Sequence, residues 1–157
     1  MAGSNKAQLI NSLTESHSKL LEIVRGYELE TVVYQAPIWQ IRDILWHIAV
    51  WDRQVTKSII AFIDDDEYSI NNFEEDQFNQ EAFLEGRKLT GEKLLEECDA
   101  ARQEFKIAVQ DFPVDKFPSE FLYPWGDERG DIATLVDYMV EHDEEHRDEI
   151  YDVISSG

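Results

Sequence analysis

Four segments of the chain carry apolar residues at three- and four-residue steps, the spacing that places side chains on one face of an α-helix. Prolines fall only beside or between these segments, and none lies between Ile38 and Phe112. β-branched alternation at period two is absent from the segments, so strands are disfavoured there. Four helices of roughly 30–37 Å each favour an all-α fold, a four-helix bundle. The segments are residues 6–25, 39–63, 90–112 and 131–154, with boundaries approximate.

Residues with known capping preferences stand at several of these boundaries. Gly26 is placed to end the first helix in a left-handed conformation. Thr90 and Asp131 are suited to cap the N-termini of the third and fourth helices. Pro113 follows the third helix and cannot continue it.

The connection between the second and third helices is long, at about residues 64–89. Bundles that alternate up and down join neighbouring helices by loops of roughly 2–8 residues. The length therefore favours a crossover that leaves the second and third helices parallel. Part of the connection, residues 73–87, is a candidate for a further helix anchored by Phe78 and Phe83. Residues 113–130 are expected to form an ordered loop packed by its aromatic side chains.

Charge and composition limit the classes of partner. A chain of 157 residues fits a single domain, residues 1–157. Its net charge of −20 disfavours nucleic acid and anionic membrane surfaces, which both require clustered Lys and Arg. We expect no secretory signal, because the first residues lack an apolar core, and no membrane span, because no apolar run approaches the ~20 residues required. Cys98 is the single cysteine, so we expect a reducing, cytoplasmic location and a buried, unreactive thiol.

His142 and His146 lie four residues apart in the sequence EHDEEH of the fourth segment. This spacing places both imidazoles on one helix face, where they can bind one transition metal. Both continue the apolar positions Leu135, Met139 and Ile150, so they should point into the bundle while the acidic residues around them point mainly outward. The alternative is a pair of core or surface histidines without a ligand. Each buried imidazole nitrogen left unpaired would then cost on the order of 1–3 kcal/mol.

His47 is the candidate for a third ligand. It lies between Ile44 and Trp51 at helical steps, about 12 Å from the start of its helix. His146 lies about 12 Å from the C-terminal end of the fourth helix, so the two would reach similar depth if these helices are antiparallel. A purely structural histidine is the alternative for His47. His17 is a weaker ligand candidate, with a pocket or surface position as its alternative.

Two other metal motifs do not fit. The zinc-protease motif requires Glu directly after its first histidine, and Asp143 occupies that position. A ferritin-like di-iron site requires a second Glu-x-x-His, but Ile44 stands three residues before His47.

Three imidazole ligands would leave at least one coordination position free, as in catalytic metal sites. Imidazole suits zinc, nickel, copper and iron; for a divalent transition metal here we expect zinc or nickel first, with iron as an alternative. The sequence singles out no catalytic acid, base or nucleophile. Carboxylates often hold metal-bound histidines from behind. Candidates for this position or for the pocket are Asp43, Asp143, Glu149, Trp39 and Trp51.

Two stretches of the chain resemble the DinB/YfiT superfamily of metal-dependent enzymes. Residues 39–54, WQIRDILWHIAVWDRQ, are similar to the family pattern Trp-Ser-x-Arg-Asp-x-Leu-x-His-Leu-x-x-Trp. Gln40 departs from it, because Ser or Thr usually caps the helix there. Residues 124–150 are similar to the final helix of the family, with its His-x-x-x-His. The helix order that the resemblance implies covers nearly the whole chain.

The resemblance implies a site and a topology. His47, His142 and His146 would be the three metal ligands, and the bundle would run up-down-down-up. Some similar proteins are S-transferases or isomerases that use a low-molecular-weight thiol, namely mycothiol, bacillithiol or glutathione. Others are described as hydrolases.

Three functions are consistent with these features. The first is a metal-dependent enzyme of the thiol S-transferase or hydrolase type, acting on a small-molecule electrophile at a three-histidine site. The second is a non-catalytic bundle that binds a small molecule or a metal. The third is a structural or partner-binding bundle with core histidines. A homodimer is compatible with each, although no sequence feature specifies one.

Overall fold

The computed structural model describes residues 2–156 and is an all-α bundle, which confirms the predicted fold class. Two small antiparallel strand pairs, β1–β2 and β3–β4, accompany the helices. The helices of the described chain are α1 (Ala2–Val24), α2 (Ile41–Ile63), α3 (Glu75–Arg87), α4 (Gly91–Asp111) and α5 (Ile132–Ser156). The strands are β1 (Val32–Gln35), β2 (Ile38–Gln40), β3 (Phe121–Leu122) and β4 (Arg129–Gly130).

The predicted caps are confirmed. Gly26 follows α1 with φ +89°, a left-handed conformation. The Thr90 side chain accepts a hydrogen bond from the Lys93 amide at 3.1 Å at the start of α4. Asp131 accepts one from the Thr134 amide at 2.8 Å at the start of α5. The Thr90 and Asp131 side chains each satisfy a backbone amide that the helix end would otherwise leave unpaired.

Two predicted boundaries were wrong. The second helix begins at Ile41 and not at Trp39, because Trp39 belongs to β2 and pairs with Tyr34 of β1. The helix starts where the Gln40 amide donates a hydrogen bond to Asp43 Oδ2 at 2.7 Å. The first helix begins at Ala2, before the predicted start near residue 6.

Residues 73–87, the candidate for a further helix, contain α3. This helix occupies half of the long connection between α2 and α4. This helix packs on α2, where the Trp46 indole donates a hydrogen bond to the Ala82 carbonyl at 2.9 Å. The loop after α4 is packed by buried aromatic side chains, as predicted; they include Phe117, Phe121 and Tyr123.

Contacts along the helices show their relative directions. Leu45 and then Asp52 of α2 meet Cys98 and then Arg102 of α4, so α2 and α4 run in the same direction. The start of α2 shares an apolar cluster with Ile150 near the end of α5, so α2 and α5 run in opposite directions. An up-down-down-up order requires α2 and α4 to be parallel and α2 and α5 to be antiparallel.

Two apolar clusters form the core, and α4 contributes to both. Cys98 is 4% exposed in the first cluster, as predicted, and Phe105 is fully buried in the second. The charged side chain of Arg102 lies on the same face of α4 between them. Within residues 2–156, no helix combines the length and the hydropathy needed to cross a lipid bilayer.

Candidate metal centre

Three histidines from two helices meet on one side of the bundle. Nε2 of His142 lies 3.0 Å from Nε2 of His47 and 3.1 Å from Nε2 of His146. The ligand atoms of all three lie within 4.8 Å of one another. The antiparallel packing of α2 on α5 brings the histidines together, and the four-residue spacing on α5 supplies two of them.

Hydrogen bonds among the rings alone cannot satisfy this cluster. A neutral ring nitrogen offers either one lone pair or one proton in the ring plane. Nε2 of His142 faces two other Nε2 atoms, so only one of the two short contacts can be a well-directed hydrogen bond. A metal ion accepts a lone pair from each ring, and ligands bound at about 2.0–2.1 Å lie roughly 3.4 Å apart in tetrahedral geometry. The three histidines therefore fit a transition metal.

The ring of His146 is oriented by a carboxylate and a phenol. Its Nδ1 lies 3.0 Å from Glu149 Oε1 and 2.8 Å from the Tyr34 hydroxyl. The Tyr34 hydroxyl donates a hydrogen bond to Glu149. Since a carboxylate only accepts hydrogen bonds, Nδ1 of His146 carries the proton and Nε2 keeps the lone pair. This is the tautomer that metal binding through Nε2 requires.

The pKa values of the cluster favour neutral imidazoles. Burial, followed by the two neighbouring histidines, lowers the pKa of His47 to about 2. Burial and His146 lower the pKa of His142 to about 4. Burial also lowers the pKa of His146. At neutral pH all three rings are therefore available as lone-pair donors.

Nδ1 of His142 is buried and has no hydrogen-bond partner among the described residues. Its neighbour Asp143 was a candidate to hold this ring and was expected to point outward. Asp143 is instead 1% exposed and binds Arg102 and Ser16. A buried carboxylate requires a cation, and the guanidinium in the core supplies one.

Two other candidates also lie outside the cluster. Asp43 binds Arg87, with Nε to Oδ1 at 2.6 Å, and not a histidine. Nε2 of His17 lies 3.0 Å from Asp99, so His17 does not share the site. Glu149 is the one candidate carboxylate that the structure places against a histidine of the cluster.

A cavity of about 560 Å³ opens beside the cluster, and His47 and His142 both line it. The predicted pocket residue Trp51 lies in its wall, with Nε1 donating to Asn79 Oδ1 at 3.0 Å. Trp39 packs edge-on against the His47 ring at a centroid distance of 5.3 Å. The volume is typical of a site for a small molecule.

Several of these residues were not predicted from the sequence. The missed residues are Tyr34, which contacts His146, and three residues of the cavity wall, Glu75, Asn79 and Tyr138. Asn79 follows Trp51 by 28 positions and Tyr34 precedes His146 by 112, and no local pattern connects residues so far apart. Tyr138 lies four residues before His142, so the helical spacing used for the histidines could have indicated it.

The fold and the site together define a helical bundle with a three-histidine cluster beside a small-molecule cavity. The family model described as the DinB superfamily matches residues 6–150. The chain therefore belongs to the DinB superfamily, as its two sequence stretches indicated. A search of curated protein sequences found no significant match.

Two solved structures share the fold. An uncharacterised protein from Escherichia coli UTI89 has a TM-score of 0.74 at 15% identity, over 94% of this chain and 91% of that one. A mycothiol-dependent maleylpyruvate isomerase has a TM-score of 0.69 at 12% identity, over 96% of this chain. The match spans 60% of the isomerase, so the isomerase has further chain beyond the shared fold.

Proposed function

We propose that the protein is a metal-dependent enzyme of the thiol S-transferase or hydrolase type, acting on a small-molecule electrophile. The observation that carries the proposal is the convergence of the three Nε2 atoms at the edge of the cavity. A divalent transition metal in this site would activate a bound water or thiol and polarise an electrophile. Zinc or nickel is the metal we propose first, with iron as the alternative.

The residues of the chain supply position and orientation. His47 and His142 belong both to the cluster and to the cavity wall, so a molecule in the cavity is adjacent to the cluster. Tyr34 and Glu149 hold His146 in the ligating tautomer. The aromatic side chains of the cavity wall offer apolar surface to a bound small molecule.

A low-molecular-weight thiol is the co-substrate we propose for the transferase. The support is the shared fold with a mycothiol-dependent maleylpyruvate isomerase. Cys98 cannot replace an external thiol, because it is buried and burial raises its pKa to about 12. We place the reaction in the cytoplasm, where thiols stay reduced, and expect no nucleic-acid or membrane partner. A homodimer is compatible with the proposal but is not needed to complete the cluster.

Metal content tests the first half of the proposal. The protein is purified without a nickel column, and bound metals are measured by elemental analysis. We expect about one transition metal per chain, retained in His17→Ala and lost in His47→Ala, His142→Ala and His146→Ala. His17 is the matched control because it is a partly buried histidine outside the cluster. Stoichiometric metal in the three cluster variants would contradict the proposal.

Thiol consumption tests the second half. The metal-loaded protein is incubated with mycothiol, bacillithiol or glutathione and a panel of electrophiles that includes chlorodinitrobenzene and activated esters. We expect turnover that depends on metal and is lost in His142→Ala. Metal binding without turnover of any thiol or ester would favour the non-catalytic binding bundle instead.

A further inference from the structure

The cavity beside the histidine cluster is walled by aromatic rings and carries one carboxylate. The rings belong to Trp51, Phe73, Trp125 and Tyr138. Glu75 is the only Asp, Glu, Lys or Arg among the described lining residues. Ring faces carry partial negative charge and attract cations. This lining favours a cation and disfavours an anion.

The rings are inclined to one another and do not stack as a flat layer. Trp51 meets Phe73 at 87° with centroids 5.7 Å apart, and it meets Trp125 at 64° and 5.9 Å. Trp125 and Tyr138 are inclined by 45° at 6.3 Å. Two of these contacts are edge-to-face and one is tilted, so the four rings pack against one another along the cavity wall, and we call them the aromatic cage. Proteins bind quaternary ammonium groups and methylated amines against clustered aromatic rings.

Carboxylates reinforce the preference for a cation. Glu75 is the first residue of α3 and is exposed, and no Lys or Arg of the described chain forms an ion pair with it. Glu128 accepts hydrogen bonds from Trp125 Nε1 at 2.6 Å and from the Tyr138 hydroxyl at 3.3 Å. A second carboxylate therefore lies next to two of the rings. The net charge of −20 further raises the concentration of cations near the cavity mouth.

We propose that this cavity binds a small organic cation, a protonated amine or a quaternary ammonium. The cationic group lies among the aromatic rings and Glu75, and the rest of the molecule extends toward His47 and His142. The assignment of this cation as the substrate class rests on the proposed enzymatic function. Binding of the cation depends on the cage alone, so it can be tested without metal.

A pair of isosteric probes tests the preference for charge. The whole chain is freed of metal with a chelator and titrated by calorimetry with 3-hydroxyphenyltrimethylammonium and with its uncharged isostere, 3-tert-butylphenol. We expect the cation to bind about tenfold more tightly than the isostere. Equal binding, or tighter binding of the uncharged probe, overturns the proposal.

Matched variants locate the binding. Glu75→Gln and Tyr138→Leu should each weaken cation binding about three- to tenfold. Asp76→Asn removes the same charge one residue further along α3, and Tyr151→Leu removes an exposed tyrosine elsewhere on α5. Both controls should bind the cation as the wild type does. If Asp76→Asn weakens binding as much as Glu75→Gln does, the attraction comes from net charge and the cage is overturned.

Metal titration of the same protein separates this inference from the proposed function. If the protein prefers the cationic probe but binds no metal, the aromatic cage is supported and the proposed enzymatic function is contradicted. If the protein binds stoichiometric metal but does not prefer the cationic probe, the metal site is supported and the aromatic cage is overturned.

Discussion

Asp143 and Arg102 form a buried ion pair in which Arg102 Nη1 donates to Asp143 Oδ2 at 2.8 Å, and both residues are 1% exposed. The same guanidinium binds Asp52 of α2 through Nε at 2.9 Å and the Leu13 carbonyl of α1 at 3.0 Å. One side chain of α4 thus contacts the other three long helices. Because Asp143 follows His142 directly, the ion pair also holds the turn of α5 that carries a histidine of the cluster.

Replacing Arg102 with methionine is expected to destabilise the fold strongly. The change leaves the buried carboxylates of Asp52 and Asp143 without a cation, which costs about 3–5 kcal/mol in the free energy of unfolding. Urea denaturation measures the loss. Arg53→Met is the matched control, since Arg53 forms looser ion pairs at 3.5 and 3.7 Å nearer the surface, and we expect it to cost less than about 1 kcal/mol. If Arg102→Met lowered the free energy of unfolding no more than Arg53→Met does, the buried ion pairs of Arg102 would contribute little to stability.

Cys98 is expected to be unreactive in the native protein. Burial raises its pKa to about 12, and its thiol donates a hydrogen bond to the Leu45 carbonyl at 3.3 Å. A disulfide reagent such as Ellman's reagent should modify it only at the rate of unfolding, and rapidly in urea. Fast modification of native protein would show that the α2–α4 contact opens readily.

Helical spacing predicted the four long helices, and it could have predicted the buried ion pair. Asp143 lies four residues after Met139, and Arg102 lies four residues after Cys98, so both continue apolar faces. Asp52 likewise lies four residues after Ile48. The prediction that the acidic residues of α5 face water followed from their charge. The helical spacing of Asp143 indicated the opposite. Three charged residues on inward faces of three helices indicate a buried ion network better than any one of them does.

Long-range contacts could not be predicted in this way. Tyr34 reaches His146 because β1 and β2 form a hairpin ahead of α2, and the hairpin was not predicted. Trp39 marks the approximate start of the helix predicted after Pro37, but pairing with Tyr34 places it in a strand. Pairing between short strands depends on tertiary context more than on local propensity.

The stability of the metal-free protein is expected to fall in mild acid. The pKa values of His47 and His142 in the fold, about 2 and 4, lie below the ordinary 6.5, so the unfolded chain binds more protons below that pH. The stabilisation from neutral rings is complete above pH 6.5 and is lost as the pH falls toward the folded values. His47→Gln should reduce the loss between pH 7 and 5 by on the order of 1–2 kcal/mol. Identical pH profiles for variant and wild type would contradict the buried, neutral cluster.

Gly86→Ala is expected to destabilise α3 against α2. A Cβ at this position would lie 2.3 Å from Trp46 Cδ1, so the indole would have to move and weaken its hydrogen bond to the Ala82 carbonyl. Overpacking of this kind costs about 1–3 kcal/mol and exceeds the gain of about 1 kcal/mol from helix propensity. Thermal melting measures the change. Gly91→Ala, which meets only Leu29 at 3.0 Å, is the control, and equal melting temperatures would contradict the close approach.

Glu149→Gln is expected to weaken metal binding about 10- to 100-fold, because the carboxylate that accepts the Nδ1 proton of His146 is lost. Tyr34→Phe should have a smaller effect, since Glu149 still reaches His146 directly at 3.0 Å. Glu144→Gln is the control for net charge, because it neutralises an exposed carboxylate on the same helix. Competition with a zinc-binding dye measures the three affinities. If Glu144→Gln weakens binding as much as Glu149→Gln does, the loss is one of overall charge and not of the orientation of the His146 ring.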